Sequence, residues 1–190
     1  LGQDRELIPR NSPDLFNRGS SLWETMFWDA RVSVAAGYFD TPAGSGLPHG
    51  LSTILAAQAM FPVTSADEMR GHGDENALSG FTSDELEHVW AGLTARVIAI
   101  DEYAALFAEA YPGVSIEEIG FEHIANALAT FEVAAFTKTN SPFDRFLGGD
   151  DAALNGLELQ GAMLFYGQAG CSSCHSGALM TDQKAHCIAS

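Results

Sequence analysis

Cys171-Ser172-Ser173-Cys174-His175 is a Cys-x-x-Cys-His run, and the rest of the chain has to be read from it. Two thiols one helical turn apart can form thioethers with the two vinyl groups of a single porphyrin. The imidazole directly after the second thiol then lies under the ring, where it can ligate iron. Small residues at Ser172 and Ser173, with Gly170 before and Gly177 after, are expected to leave room for a flat macrocycle close to the backbone. Three other uses of such a run compete. A zinc site wants four ligands, and Cys187 with His186 beside it makes a poor second half. A thioredoxin-like motif belongs near a βαβ pattern, which is absent here. A structural disulfide leaves His175 unexplained. The run is read as the attachment point of one covalent c-type haem, held by Cys171 and Cys174 and ligated by His175.

Composition sets the surroundings. The chain of 190 residues can hold one good core or two small ones, and 46% hydrophobic residues mark it as globular. The richest apolar region, 93–110, is interrupted by Arg96, Asp101 and Glu102, so no membrane span is expected. Nine basic against 25 acidic side chains give a formal charge of −16. That charge repels nucleic acid and anionic membranes and favours a basic or dipolar partner. Covalent haem of this type is attached outside the cytoplasm, which points to a bacterial periplasm. Neither an initiator Met nor a signal peptide opens the chain, and Ser190 follows His175 by only fifteen residues. Both ends are therefore expected to continue in a longer polypeptide.

The periods along the chain are helical. Thr82-Ser83-Asp84-Glu85 reads as a capping box opening a helix over 83–99, with Leu86, Val89, Trp90 and Leu93 on one face. Ser115-Ile116-Glu117-Glu118 opens a second helix over 115–136, carrying Ile116, Ile119, Ile124, Leu128 and Phe131. A third is expected over 151–166, with Leu154, Leu157, Met163 and Leu164 as its inner side. Shorter helices fit 51–60 and 101–110, and Gly- or Pro-containing stretches at 37–50, 71–81 and 138–150 read as loops. Alternating β patterns are scarce. The expected fold class is all-α.

At this point an ordered series of segments resembles a known family. Arg10-Asn11-Ser12-Pro13, Phe27-Trp28-Asp29-Ala30-Arg31, Gln58, Glu68-Met69, Asn140-Ser141-Pro142-Phe143-Asp144-Arg145-Phe146, Gly149-Asp150 and the Cys-x-x-Cys-His run follow one another in that order. The series is similar to the bacterial di-haem cytochrome c peroxidases and their relatives that mature the tryptophan cofactor of methylamine dehydrogenase. The resemblance implies two c-type cytochrome domains in tandem. Residues 1–140 would form most of the peroxidatic domain, and residues 141–190 would begin the electron-transfer domain. One haem c is expected on this chain and a second in the complete protein, because the family's first motif should lie upstream of Asn11 and no cysteine precedes Cys171. Two further departures stand out. Ala30 replaces a glycine of the pattern, and residues 33–52 read as an inserted loop. The implied reaction is reduction of hydrogen peroxide with electrons from a small redox protein, a cytochrome or a copper protein, in a protein that can form a homodimer. The alternatives are a non-enzymatic electron-transfer cytochrome, or a relative that oxidises a protein substrate.

Site residues carry over one by one. Glu68 matches the family's distal carboxylate, since heterolytic cleavage of a peroxide needs a base to take a proton and return it; a helix cap under Ser65 is the competing account. Gln58 resembles a pocket amide, or is a polar residue in an apolar helix. Trp28 resembles the indole that relays electrons between the haems, or is a core tryptophan. Asn11 resembles a side-chain oxygen ligand of an interdomain calcium ion, or forms an Asx turn before Pro13. Asp144 and Arg145 suggest an ion pair that fixes the linker. His49, His72, His88 and His123 show no ligand spacing. Met180, five residues after His175, should emerge on the same side of the ring and is not read as the opposite iron ligand.

Overall fold

The computed structural model describes residues 7–8, 11–184 and 186; Arg10 and Cys187 lie outside this range. The core is built around a short, almost wholly buried helix, α1 (Ile54–Ala59). Thr53 has extended backbone angles, and its side chain accepts a hydrogen bond from Ala56 N at 3.1 Å, which starts the helix. Pro62 follows closely and opens a 3-10 turn, Pro62–Thr64. The small side chains of Ala56 and Ala57 let α4 (Phe121–Phe136) approach, and α4 answers with a buried stripe of Phe121, Ala125 and Ala129 at four-residue intervals. Asn126 on α4 ties the two together: its side-chain oxygen accepts from Ser52 N at 2.8 Å and its amide donates to Gly50 O at 2.9 Å.

α2 (Leu86–Ile98) closes the other side of this core and packs against α3 (Asp101–Ala110). Its Trp90 is 3% exposed, donates its indole N–H to Met60 O at 2.7 Å, and meets Phe61 edge-on. Half of the Thr82 box forms: Thr82 N donates to Glu85, but the Thr82 hydroxyl donates to the Asp84 and Glu85 carboxylates instead of capping a backbone N–H, and regular helix begins only at Leu86.

Three expectations need correction. The chain is helix-rich but not all-α: a three-stranded antiparallel sheet, β1 (Thr25–Met26), β2 (Val32–Ala35) and β3 (Tyr38–Asp40), covers one side of α1. β2 and β3 occupy most of the first half of the supposed inserted loop. Strands this short carry too few residues for a two-residue period to emerge. The helix expected over 115–136 is two pieces, a 3-10 turn (Ile116–Glu118) and α4, because Ile119 is buried in extended conformation and Gly120 caps α4, donating its N–H to His123 Nδ1 at 3.0 Å. The stretch 138–150 contains a helix of its own, α5 (Pro142–Leu147), with Pro142 at its first position and a full capping box between Ser141 and Asp144.

α6 (Gly156–Tyr166) starts at Asn155, whose side chain accepts from Leu157 N and Glu158 N. Its expected inner side is not buried. Leu157 is 79% and Met163 75% exposed, Leu164 is exposed as well, and Leu154, ahead of the helix, is half-buried. The apolar residues of α6 surround the axis instead of forming one stripe, and none of them is buried.

Candidate functional site

The Cys-x-x-Cys-His run forms a 3-10 turn, Cys171–Ser173, directly after α6. Gly170 at φ +68° and Gly177 at φ +68° bracket it. A β-carbon on either would meet no protein atom within 4 Å, and both glycines serve the left-handed backbone. Cys171 and Cys174 are free, half-buried thiols. His175 is exposed, and its Nδ1 lies 3.1 Å from Met180 O. A carbonyl oxygen only accepts, so Nδ1 carries the proton and Nε2 keeps its lone pair, the form of imidazole that ligates a metal. Met180 makes this contact from a left-handed backbone, φ +54°. Its sulfur meets Tyr166 Oη at 3.5 Å.

His175 opens onto a cleft of about 840 Å³ between the motif loop and the N-terminal segment. The cleft is walled by Phe16, Trp23, Phe27, Trp28, Phe143 and Tyr166, with Arg18, Lys138 and Lys184 among its polar residues. Its size and aromatic lining suit a flat, largely apolar ligand. Two free thiols, an imidazole with an available Nε2 and this cleft together fit a covalently attached haem. Trp28, 67% exposed, lines the same cleft as His175 and is not the core tryptophan of the alternative reading; that place is taken by Trp90.

Glu68 and Gln58 lie elsewhere, on consecutive elements linked by the Pro62–Thr64 turn, and neither lines this cleft. Gln58 is half-buried near the end of α1. Glu68 sits in the middle of a single π-helical turn, Ala66–Arg70, a geometry enriched at functional sites. Arg70 N donates to Ser65 O at 2.9 Å and Gly71 N to Ala66 O at 3.1 Å, both five residues back. Ser65 Oγ accepts from Glu68 N at 3.3 Å, so the serine half of the predicted cap is made. Arg70 Nε donates to Thr64 O at 3.0 Å, and His72 Nε2 meets Asp67 Oδ1 at 2.7 Å. The half-buried Glu68 is thus carried on a backbone pinned from both ends. The Asp67–His72 pair was invisible in sequence, since five residues separate partners that only the π turn brings together.

Asn11 is exposed and stands outside the cleft. Among the described residues no three His, Cys, Asp or Glu side chains gather as a metal site. The Asp144–Arg145 pair expected in the linker does not form. Asp144 caps α5, while Arg145 reaches Asp150 at 3.8 Å and donates to Asn140 O at 3.1 Å. Among the described residues no helix is long and apolar enough to cross a membrane.

Helical packing, the paired thiols and the poised imidazole define a c-type haem protein. The model of the di-haem cytochrome c peroxidase family matches residues 1–152, and the chain belongs to that family, with haem c as the cofactor this implies. It is 32% identical over 182 residues to the methylamine utilization protein MauG of Methylorubrum extorquens, covering 95% of this chain and 39% of that protein. It is 28% identical over 177 residues to the cytochrome c551 peroxidase of Pseudomonas aeruginosa, covering 93% and 39%. A cytochrome-c peroxidase of Denitromonas iodatirespirans, IdrP1, is 30% identical over 181 residues, covering 92% and 36%. The chain thus spans about two fifths of the length of these relatives.

Proposed function

We propose that this chain is part of a di-haem peroxidase of the periplasm that reduces hydrogen peroxide, taking electrons through the haem on Cys171 and Cys174 from a small cytochrome or copper protein. The observation that carries the reading is the shared cleft of Trp28 and His175, with Glu68 held on a separate, pinned turn. Residues 1–140 then belong to the peroxidatic domain and residues 141–190 to the electron-transfer domain, each with its own haem c in the complete protein. When bound, the haem groups supply the two electrons and the oxygen–oxygen bond cleavage that turn one peroxide and two protons into two waters.

The side chains do the rest. The Glu68 carboxylate accepts a proton from the peroxide oxygen that will be retained and returns it to the oxygen that departs. Gln58 orients the peroxide through its side-chain amide. Trp28 relays electrons from the His175 side towards the peroxidatic side. Asn11 would offer its side-chain oxygen to a calcium ion, a hard cation that prefers oxygen ligands. The net charge of −16 suits a donor with a basic face, and a homodimer is the assembly proposed.

The test is Glu68→Gln in the complete protein, followed by stopped-flow spectroscopy. The amide keeps the size of the side chain and cannot shuttle a proton, so peroxide cleavage should slow by about 10²–10⁴ while both haems remain attached. A variant that reacts at the wild-type rate would make Glu68 a helix cap only.

A further inference from the structure

The haem-motif loop is fastened to the N-terminal segment by one side chain, Gln183. Its Oε1 accepts from Glu24 N at 2.6 Å and from Thr25 N at 3.3 Å, and its Nε2 donates to Leu22 O at 2.8 Å. All three partners are main-chain groups, so the amide substitutes for strand pairing along residues 22–25. Both ends of the fastening are rigid. On one side, Asp182 N donates to Cys174 O at 2.9 Å and Gln183 N to Thr181 Oγ1 at 3.0 Å, which folds the loop back on the motif. On the other, Thr25 begins β1, Glu24 O accepts from Val34 N at 2.9 Å, and Met26 is 1% exposed in the core. Trp28 follows Thr25 by three residues. Gln183 holds its place with φ +55°, a conformation uncommon for a residue with a side chain and one that has to be sustained by its contacts.

We propose that Gln183 is a positioning residue that sets the separation between Trp28 and the haem carried by Cys171, Cys174 and His175, and so the rate at which electrons cross the cleft. The inference rests on the reading of Trp28 as relay. Few apolar contacts hold the motif loop, since no described residue after Ala129 is buried, so a clasp of three hydrogen bonds to the core sheet governs its position. Electron tunnelling falls off exponentially with distance, so a small displacement has a large kinetic effect.

The experiment uses the mature protein with its haem groups attached. Gln183→Ala should leave covalent haem and the rate of peroxide cleavage unchanged, expose the amides of Glu24 and Thr25 to hydrogen exchange, and slow electron transfer between the haems by about tenfold to a hundredfold. Gln183→Glu keeps an acceptor for those two amides and loses the donor to Leu22 O. It should retain most of their protection and recover part of the rate. Unchanged exchange at Glu24 and Thr25 in Gln183→Ala would show that no clasp exists. Faster exchange with an unchanged transfer rate would show that the clasp does not position the relay. Trp28→Phe separates this idea from the one beneath it. If Trp28→Phe transfers electrons at the wild-type rate while Gln183→Ala is slow, the indole is no relay and the clasp sets a direct haem-to-haem distance. If both variants are fast, the positioning role of Gln183 is gone as well.

Discussion

α4 and α6 are both rich in apolar residues, yet they fare differently. α4 concentrates Phe121, Ala125 and Ala129 on one line and buries that line against α1. α6 distributes Leu157, Leu159, Met163, Leu164 and Phe165 around its axis, and none of them is buried. The contrast extends to the regions the helices belong to. Every buried side chain among the described residues falls between Met26 and Ala129, whereas residues 130–184 contribute none. A helix apolar on all sides is one that expects cover on all sides. Phe165 lies 6.2 Å from the His175 ring, and Tyr166 lines the cleft onto which His175 also opens. One region is organised by its own buried side chains, and the other has no buried side chain among the described residues.

The strongest way to break this comparison is to remove the haem. Cys171→Ala with Cys174→Ala should abolish covalent attachment entirely, read as loss of haem stain from the denatured polypeptide after acid–acetone extraction. Hydrogen exchange should then rise across residues 137–184 and stay slow in α1, α2 and α4. Equal loss of protection in both regions would mean that the core depends on the haem as well.

A sharper test compares single side chains. Trp90→Ala removes the largest ring of the core and should cost about 3–5 kcal/mol in chemical denaturation. Trp90→Phe keeps most of the volume but strands Met60 O without its donor, at about 1–3 kcal/mol. Leu157→Ala, at a side chain 79% exposed, should change stability by no more than about 0.5 kcal/mol. A Leu157→Ala cost matching that of Trp90→Ala would show α6 covered in the mature protein, and the contrast would then hold for these 190 residues alone.

The same contrast explains what could be read in the sequence. α2 was legible because Val89 and Trp90, on the face its period marks, are buried, whereas the face read for 115–136 was wrong: Leu128 and Phe131 are 45% and 62% exposed, and Ala125 and Ala129 are buried with Phe121 in their place. The Cys-x-x-Cys-His run was legible as a haem-attachment expectation because attachment chemistry fixes its spacing. The sheet was not, since strands of two to four residues leave no period, and the inner face of α6 was misread because apolar residues without a stripe do not say which side is covered. Gln183 escaped for a further reason. It is one polar residue in a polar loop, and its partners are main-chain groups some 160 positions away, which no side-chain pattern encodes. The π turn around Glu68 was also out of reach, because the Ser65 cap on Glu68 N is equally compatible with an ordinary helix start.

At the segment boundary a smaller effect distinguishes the regions by pH. Ser141 caps α5, and Ser141→Ala should weaken that helix by about 1 kcal/mol. The reciprocal partner, Asp144, is held below the ordinary value of 3.8 by its hydrogen bonds from the Ser141 side chain and backbone. A carboxyl lowered in the folded state contributes stability above its unfolded value, and that contribution disappears as pH falls through the folded one. Six residues into the core side from Lys138, Glu132 does the opposite: partial burial raises it above 4.5. Its contribution is complete below 4.5 and is lost as pH rises through the raised folded value. The two slopes therefore have opposite signs and lie in separate windows, one below 3.8 and the other above 4.5. Asp144→Asn should remove the loss of α5 protection on acidification below 3.8, and Glu132→Gln should remove the decline on the alkaline side of 4.5. Hydrogen exchange read separately over 142–147 and 121–136 tells them apart. If Asp144→Asn leaves the acid response of 142–147 unchanged, the capping box does not hold this helix and the segment is positioned by the cleft alone.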